Sequence, residues 1–111
     1  MSAADGPSDG SADANQAGSG GTVLRRTITI CNRRGLHARA AARFVALAER
    51  FGASVEVVKD GQAVSARSIM GLMMLGAGMG STIELRAEGW DAKEAMDALA
   101  AFVESGFDEQ D

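Results

Sequence analysis

The sequence contains few of the residues that cross-link small proteins or bind metals. Its 111 residues include one cysteine, Cys31, and one histidine, His37. A single cysteine permits no internal disulfide, and these two residues give no ligand framework for a metal site. We therefore expect no metal and no cofactor. No apolar run approaches the ~18–20 residues that a membrane span requires, so we also expect no membrane partner. The simplest placement is cytoplasmic, with Cys31 as a half-buried strand residue rather than a reactive thiol.

The first 21 residues lack the side chains that build a hydrophobic core. They contain no valine, isoleucine, leucine or aromatic residue and consist mainly of glycine, alanine, serine and aspartate. Such a segment cannot bury enough apolar surface to offset its ordering entropy, so residues 1–21 are predicted to be a disordered arm. The arm has neither the basic start nor the apolar centre of a signal peptide. Residues 22–111 are predicted to form a single domain.

Hydrophobic periodicity in residues 22–111 alternates between the patterns of strands and helices. Asp60-Gly61 is a strong hairpin signal, Ser68 is a good helix N-cap, and Asp91 with Glu94 predicts a variant capping box. The β-α-β-β-α-β-α order favours an α+β open-faced sandwich, with three helices on one face of a four-stranded, mostly antiparallel sheet. Strands are predicted at 23–31, 54–59, 62–66 and 82–87, and helices at 37–51, 69–75 and from 91 to about 106.

Charge is distributed unevenly along a chain whose net charge is −4. Residues 22–50 carry seven arginines and one acid, whereas residues 51–111 carry four basic and eleven acidic residues. A basic segment in an acidic protein indicates an anionic ligand or an acidic partner surface. One alternative is therefore an anion- or nucleic-acid-binding domain that uses the arginine-rich segment 25–50. Since that segment has no aromatic stacking platform, we predict no nucleic-acid partner.

His37 is the candidate reactive residue, because it lies between a glycine-bearing loop and the predicted start of the first helix. A neutral imidazole is a competent nucleophile toward phosphorus, and the resulting N–P bond remains a reactive donor. The free N–H groups and positive dipole end of a helix N-terminus receive phosphate and favour the neutral ring. Arg39 can neutralise phosphoryl oxygens, and Gly35 allows the chain to turn before the site. On the residues alone, a capping or surface histidine remains the alternative.

Two short motifs carry a resemblance to a known family. The first is RGLHARAA at residues 34–41, and the second is SIMGLMML at residues 68–75. Both closely resemble the signatures of HPr-type phosphocarriers of the bacterial phosphotransferase system, and the resemblance covers about residues 23 to 105. Ala40 stands where the family usually has proline, which pre-sets φ in the first helical turn but supplies no functional group. This alanine and the methionine-rich second motif are closer to the nitrogen-related branch.

The resemblance implies a carrier rather than a free-standing enzyme. His37 would be phosphorylated on Nδ1 by phosphorylated enzyme I, which draws on phosphoenolpyruvate, and would donate to the histidine of an enzyme IIA. Arg39 matches the family's phosphate-interacting arginine. A monomer is the default for a carrier that offers one face to successive partners. The alternative is a non-catalytic regulatory module of the same fold, which the presence of both His37 and Arg39 opposes.

The second motif implies a regulatory site and a docking surface. Ser68 matches the family's regulatory phosphorylation site, whose modifying enzyme would be an HPr kinase/phosphorylase, although a plain N-cap serine is the alternative. A phosphoserine beside an apolar patch would repel acidic partner groups. A two-turn helix on a sheet cannot bury all its faces. Core packing is the alternative for about half of its apolar residues, including Leu72 and Leu75, and Met70 and Met73 are the best docking candidates. The predicted partner-binding residues are Arg43, Ile69, Met70, Met73 and Met74.

Overall fold

The structure is a computed structural model that describes residues 22–109, so the predicted disordered arm, residues 1–21, lies outside the described residues. The predicted order of strands and helices is confirmed, with element ends that differ by up to three residues. The elements are β1 (Leu24–Thr29), α1 (Ala38–Ala48), β2 (Ser54–Lys59), β3 (Gln62–Ser65), α2 (Ile69–Met74), β4 (Thr82–Glu88) and α3 (Ala92–Glu104).

The four strands form one sheet in the order β1-β4-β2-β3, and every neighbouring pair is antiparallel. The register places Ile28 opposite Ile83 and Val57 opposite Leu85, so the apolar side chains of adjacent strands share one face. Asp60 and Gly61 join β2 to β3 with φ values of 51° and 80°, the left-handed conformation that a two-residue hairpin requires. The predicted α+β class is confirmed.

The three helices cover the apolar face of the sheet. Helix α3 packs against β1, β4 and β2, helix α2 packs against β3, and α1 contacts both α2 and α3. Leu72 and Leu75 are buried, as predicted. Within residues 22–109, all buried apolar residues join one cluster, so one core fixes how the start of α1 sits against the other described elements. The largest fully buried side chains include Phe44, Phe107, Ile30, Leu72, Ile83, Leu85 and Leu99.

Asp91 is the N-cap residue of α3, as predicted, but the predicted capping bond from its side chain is wrong. Asp91 precedes α3, but with φ −113° and ψ 30° it lacks the extended backbone of a side-chain cap and makes no capping hydrogen bond. Its buried carboxylate instead accepts from the backbone N–H groups of Gly52 (2.9 Å) and Ala53 (2.7 Å). Asp91 therefore ties the loop after α1 to the start of α3. Cys31 also differs from expectation, since it follows β1 and is exposed.

Candidate functional site

His37 occupies the N-cap position of α1. Its backbone is extended (φ −80°, ψ 180°), and its side chain makes no capping hydrogen bond. The His37 carbonyl accepts from the N–H of Ala41 at 2.8 Å, which closes the first helical turn. The first turn contains no acidic residue, and Arg39 is exposed within it. The positive end of α1 is therefore not neutralised from within its own first turn, and the imidazole is not used to cap the helix.

The backbone before His37 depends on a close approach at Gly35. Gly35 has φ +65°, and a Cβ there would lie 2.5 Å from the Ala77 carbonyl oxygen and 2.7 Å from the Cα of Gly78. The neighbouring N–H of Leu36 donates to the same Ala77 oxygen at 2.9 Å. Both the left-handed conformation and the lack of space select glycine. The loop after α2 thus holds the entry to His37 in place.

Asn32 closes the turn that leads into the site, and sequence reasoning did not identify it. The residue is buried, and its Nδ2 donates to the Gly35 carbonyl and to Oε1 of Glu109, each at 2.9 Å. In return, the N–H of Gly35 donates to the Asn32 carbonyl at 3.2 Å. The available signal was weak, because an asparagine in a short connection is typical of any turn.

Glu109 is the second site residue that the sequence did not reveal. Its Oε2 contacts Nε2 of His37, although 72 residues separate the two in the chain. Their side chains are only 11% and 14% exposed. The pKa of Glu109 lies below its ordinary value, chiefly because Asn32 donates a hydrogen bond to it; His37 and Arg34 act in the same direction, and burial opposes them. The carboxylate is therefore ionised at neutral pH and acts only as an acceptor.

Ser68 is the N-cap of α2, as predicted, and its Oγ accepts from the N–H of Gly71 at 2.9 Å. The helix leaves four large apolar side chains exposed, which we call the α2 surface. Because α1 and α2 pack together, this surface adjoins the helix that begins at His37. Met79, in the loop after α2, is exposed as well and was not predicted. The α2 surface comprises Ile69 (42% exposed), Met70 (70%), Met73 (43%) and Met74 (69%).

The arginines of the basic segment lie on different faces of the molecule. Arg26 forms an ion pair with Asp97 of α3 (3.0 Å), and Arg25 lies beside acidic residues of β2 and β4. Arg43 lines a groove between α1 and α3 with Leu47 and Phe102, so it lies on the α3 side of α1. Three of the seven arginines therefore lie in different surroundings, two of them beside acidic side chains.

Within residues 22–109, no three histidine, cysteine, aspartate or glutamate side chains come together as metal ligands. No helix in the same range has both the length and the apolar character needed to cross a bilayer.

A family model and individual relatives of known name place the chain in the same protein family. A family model described as the PTS HPr component phosphorylation site matches residues 24–105. The chain is 49% identical over 88 residues to the phosphocarrier protein NPr of Shewanella violacea, a match that covers 79% of the chain and 97% of that protein. It is also 49% identical over 87 residues to the phosphocarrier protein HPr of Cupriavidus necator, covering 78% and 98% of the two chains.

Solved structures agree with this result. An HPr crystal structure from Thermoanaerobacter tengcongensis (HPr-C-His) matches with a TM-score of 0.75 and 47% identity, covering 78% of this chain and 98% of that one. A structure described as an HPr dimer from the same organism matches with a TM-score of 0.63 and 49% identity, covering 74% and 94%. The resemblance read from the two motifs is confirmed, and an NPr relative fits the nitrogen-related branch. The chain belongs to the HPr family of phosphocarriers of the phosphotransferase system, which carry phosphoryl groups rather than catalyse a reaction of their own.

Proposed function

We propose that His37 accepts a phosphoryl group from phosphorylated enzyme I and passes it to the histidine of an enzyme IIA. The observation that carries this proposal is the position of His37 at the N-cap of α1 with its imidazole free of any capping bond. In the first step the N–P bond of the donor histidine breaks as a bond forms between phosphorus and Nδ1 of His37. The second step repeats the exchange with the acceptor histidine, so the carrier returns unchanged.

The start of α1 supplies the electrostatic part of this transfer. A phosphoryl group on His37 would lie beside the N–H groups of the first turn and the positive end of the helix dipole. Arg39 stands two residues after His37, is exposed, and can donate to phosphoryl oxygens. Catalysis of phosphoryl transfer is largely positioning and charge stabilisation, so these groups and those of the partner protein complete one site.

The donor and acceptor can be identified with purified components. The full chain would be incubated with phosphoenolpyruvate and either a sugar-type or a nitrogen-type enzyme I, and its phosphohistidine content followed over time. IIA proteins of both branches would then be added to the phosphorylated chain. Following the NPr relative, we expect faster transfer with the nitrogen-type pair. The proposal fails if neither donor phosphorylates the chain while each phosphorylates its own carrier.

Arg39→Ala is expected to slow transfer in both directions by about 10- to 100-fold without preventing folding. A hydrogen bond to a charged group contributes ~1.5–3 kcal/mol, and each 1.36 kcal/mol corresponds to a factor of ten in rate. The measurement is the rate of phosphoryl transfer from enzyme I under single-turnover conditions. Arg50→Ala is the matched control, because Arg50 is an exposed arginine beyond the other end of α1. Equal rates for the two variants would remove the role assigned to Arg39.

We further propose that partners dock on the α2 surface and that phosphorylation of Ser68 by an HPr kinase/phosphorylase weakens docking. Ser68→Asp keeps a side chain that can cap α2 and places a negative charge beside the exposed methionines. We expect it to weaken IIA binding by about tenfold, or ~1.4 kcal/mol, and to leave phosphate acceptance possible at saturating partner. Calorimetric titration measures the affinity, and Ser54→Asp, on an exposed residue of β2, is the control. Unchanged affinity for Ser68→Asp would remove the basis of regulation at this site.

We also propose that the chain acts as a cytoplasmic monomer, because a carrier must present the same face to donor and acceptor in turn. An HPr of T. tengcongensis is described as a dimer, so the oligomeric state requires its own measurement. Light scattering at working concentration is expected to give the mass of one chain, and a dimer mass would contradict this part of the proposal.

A further inference from the structure

The end of α3 is built to reverse the chain. The N–H of Gly106 donates to the Val103 carbonyl and the N–H of Phe107 donates to the Phe102 carbonyl, each at 2.9 Å. This pair of bonds is the Schellman arrangement, which satisfies the last carbonyls of a helix. The rings of Phe102 and Phe107 meet edge to face with centroids 5.5 Å apart, and Phe107 is fully buried. The residues after the helix are thus anchored in the core.

Three successive residues after α3 have left-handed backbones. The φ values are 73° at Gly106, 58° at Phe107 and 56° at Asp108. Residues other than glycine rarely adopt this conformation, and the strain persists only where the surrounding structure holds it. Here the burial of Phe107 in the core keeps the backbone in this conformation. The consequence is that the chain turns back toward the start of α1 and brings Glu109 to His37.

The Glu109 carboxylate is held on both of its oxygens. Asn32 donates to Oε1 at 2.9 Å, and His37 contacts Oε2 through Nε2. An ionised carboxylate has no proton to donate, so the proton in the second contact lies on Nε2 of His37. A neutral imidazole carries one ring proton, and placing it on Nε2 leaves the lone pair of Nδ1 free. The contact therefore selects which nitrogen is the nucleophile.

We propose that Glu109 is the positioning residue for His37, fixing the tautomer and orientation of the ring so that Nδ1 faces the incoming phosphoryl group. As the Nδ1–P bond forms and the donor N–P bond breaks, the ring gains positive charge while the proton stays on Nε2. The carboxylate stabilises that charge, as the buried aspartate does for the histidine of hydrolase triads. This inference rests on the proposed phosphorylation of His37, but its tautomer part holds for the unphosphorylated protein.

The tautomer can be measured without any phosphotransfer partner. Two-bond ¹H–¹⁵N spectra of the His37 ring would be recorded at alkaline pH, where imidazoles are neutral, for the wild type and Glu109→Ala. We expect a single Nε2–H tautomer in the wild type and a mixture in Glu109→Ala, which has no acceptor for the Nε2 proton. Glu104→Gln, which removes a carboxylate at the exposed end of α3, is the control and should match the wild type. An unchanged tautomer in Glu109→Ala would overturn the proposal.

Transfer rates test the electrostatic part. Glu109→Ala is expected to accept phosphate from enzyme I about tenfold more slowly than the wild type, the scale of one lost charge-assisted hydrogen bond. Glu109→Gln should also be slower than the wild type, because it lacks the charge and offers one acceptor oxygen to the two donors, Asn32 and His37. A rate that rises in Glu109→Ala would overturn the proposal by showing a blocking contact. If the wild type accepts no phosphate, the proposed function fails while the spectra still decide the tautomer.

Discussion

Replacing His37 with alanine is expected to abolish phosphate acceptance and to leave the fold intact. His37 is the only histidine in the chain, so the variant has no second imidazole to form an acid-labile phosphohistidine. The ring belongs to no part of the buried apolar cluster and does not cap α1, and its partner Glu109 keeps the hydrogen bond from Asn32 when the ring is removed. We therefore expect a stability change of no more than ~1–2 kcal/mol. The measurement is incorporation of label from phosphoenolpyruvate through enzyme I, with a urea unfolding curve on the same sample.

The result is specific because serine and histidine phosphates differ in acid stability. Acid-labile label that persists in His37→Ala would contradict the assignment by showing a different acceptor. Acid-stable label in both proteins would report modification of a hydroxyl, for which Ser68 is the first residue to test. Ser68→Ala removes that hydroxyl while leaving His37 in place.

The second large effect is expected at Gly35. An alanine there would force an L residue to φ +65° and place its Cβ 2.5 Å from the Ala77 carbonyl oxygen. The left-handed conformation alone costs ~1–2 kcal/mol, and the overlap adds to it, so we expect Gly35→Ala to lose roughly 3–4 kcal/mol of unfolding free energy. Urea unfolding measures this loss. Phosphate acceptance should also fall, because the same backbone positions Leu36 and His37.

Gly61 provides the matched control for the conformational part. It has φ +80°, but a Cβ there would meet no atom within 4 Å. Gly61→Ala therefore isolates the cost of the left-handed backbone, which we expect to be ~1–2 kcal/mol. Equal losses for the two variants would contradict the view that close packing against Ala77 fixes the entry to the site.

The parts of the fold that sequence could predict are those with local causes. The strand and helix patterns repeat over a few residues, and Asp60-Gly61 specifies its hairpin through backbone conformation alone. The burial of Leu72 and Leu75 follows from helical spacing. The prediction of His37 and Arg39 as site residues rests on one motif, which lies within the family match at residues 24–105.

The parts that could not be predicted depend on contacts between distant segments. Glu109 lies in a polar tail with no periodicity, and only the left-handed turn after α3 brings it to His37. Asn32 donates hydrogen bonds to two acceptors, and one of them is the distant Glu109 carboxylate. Asp91 looked like a helix cap because local patterns favour that role, but the loop after α1 offers two backbone donors that sequence cannot reveal.

The central claim is that His37 carries the phosphoryl group, and the intact mass of the full chain tests it most directly. The chain would be incubated with phosphoenolpyruvate and an enzyme I shown to phosphorylate its own carrier, beside His37→Ala treated in the same way. We predict a mass gain of one phosphoryl group on the wild type alone, lost after brief acid treatment. An unchanged wild-type mass with an active donor, or the same gain in His37→Ala, would contradict the account.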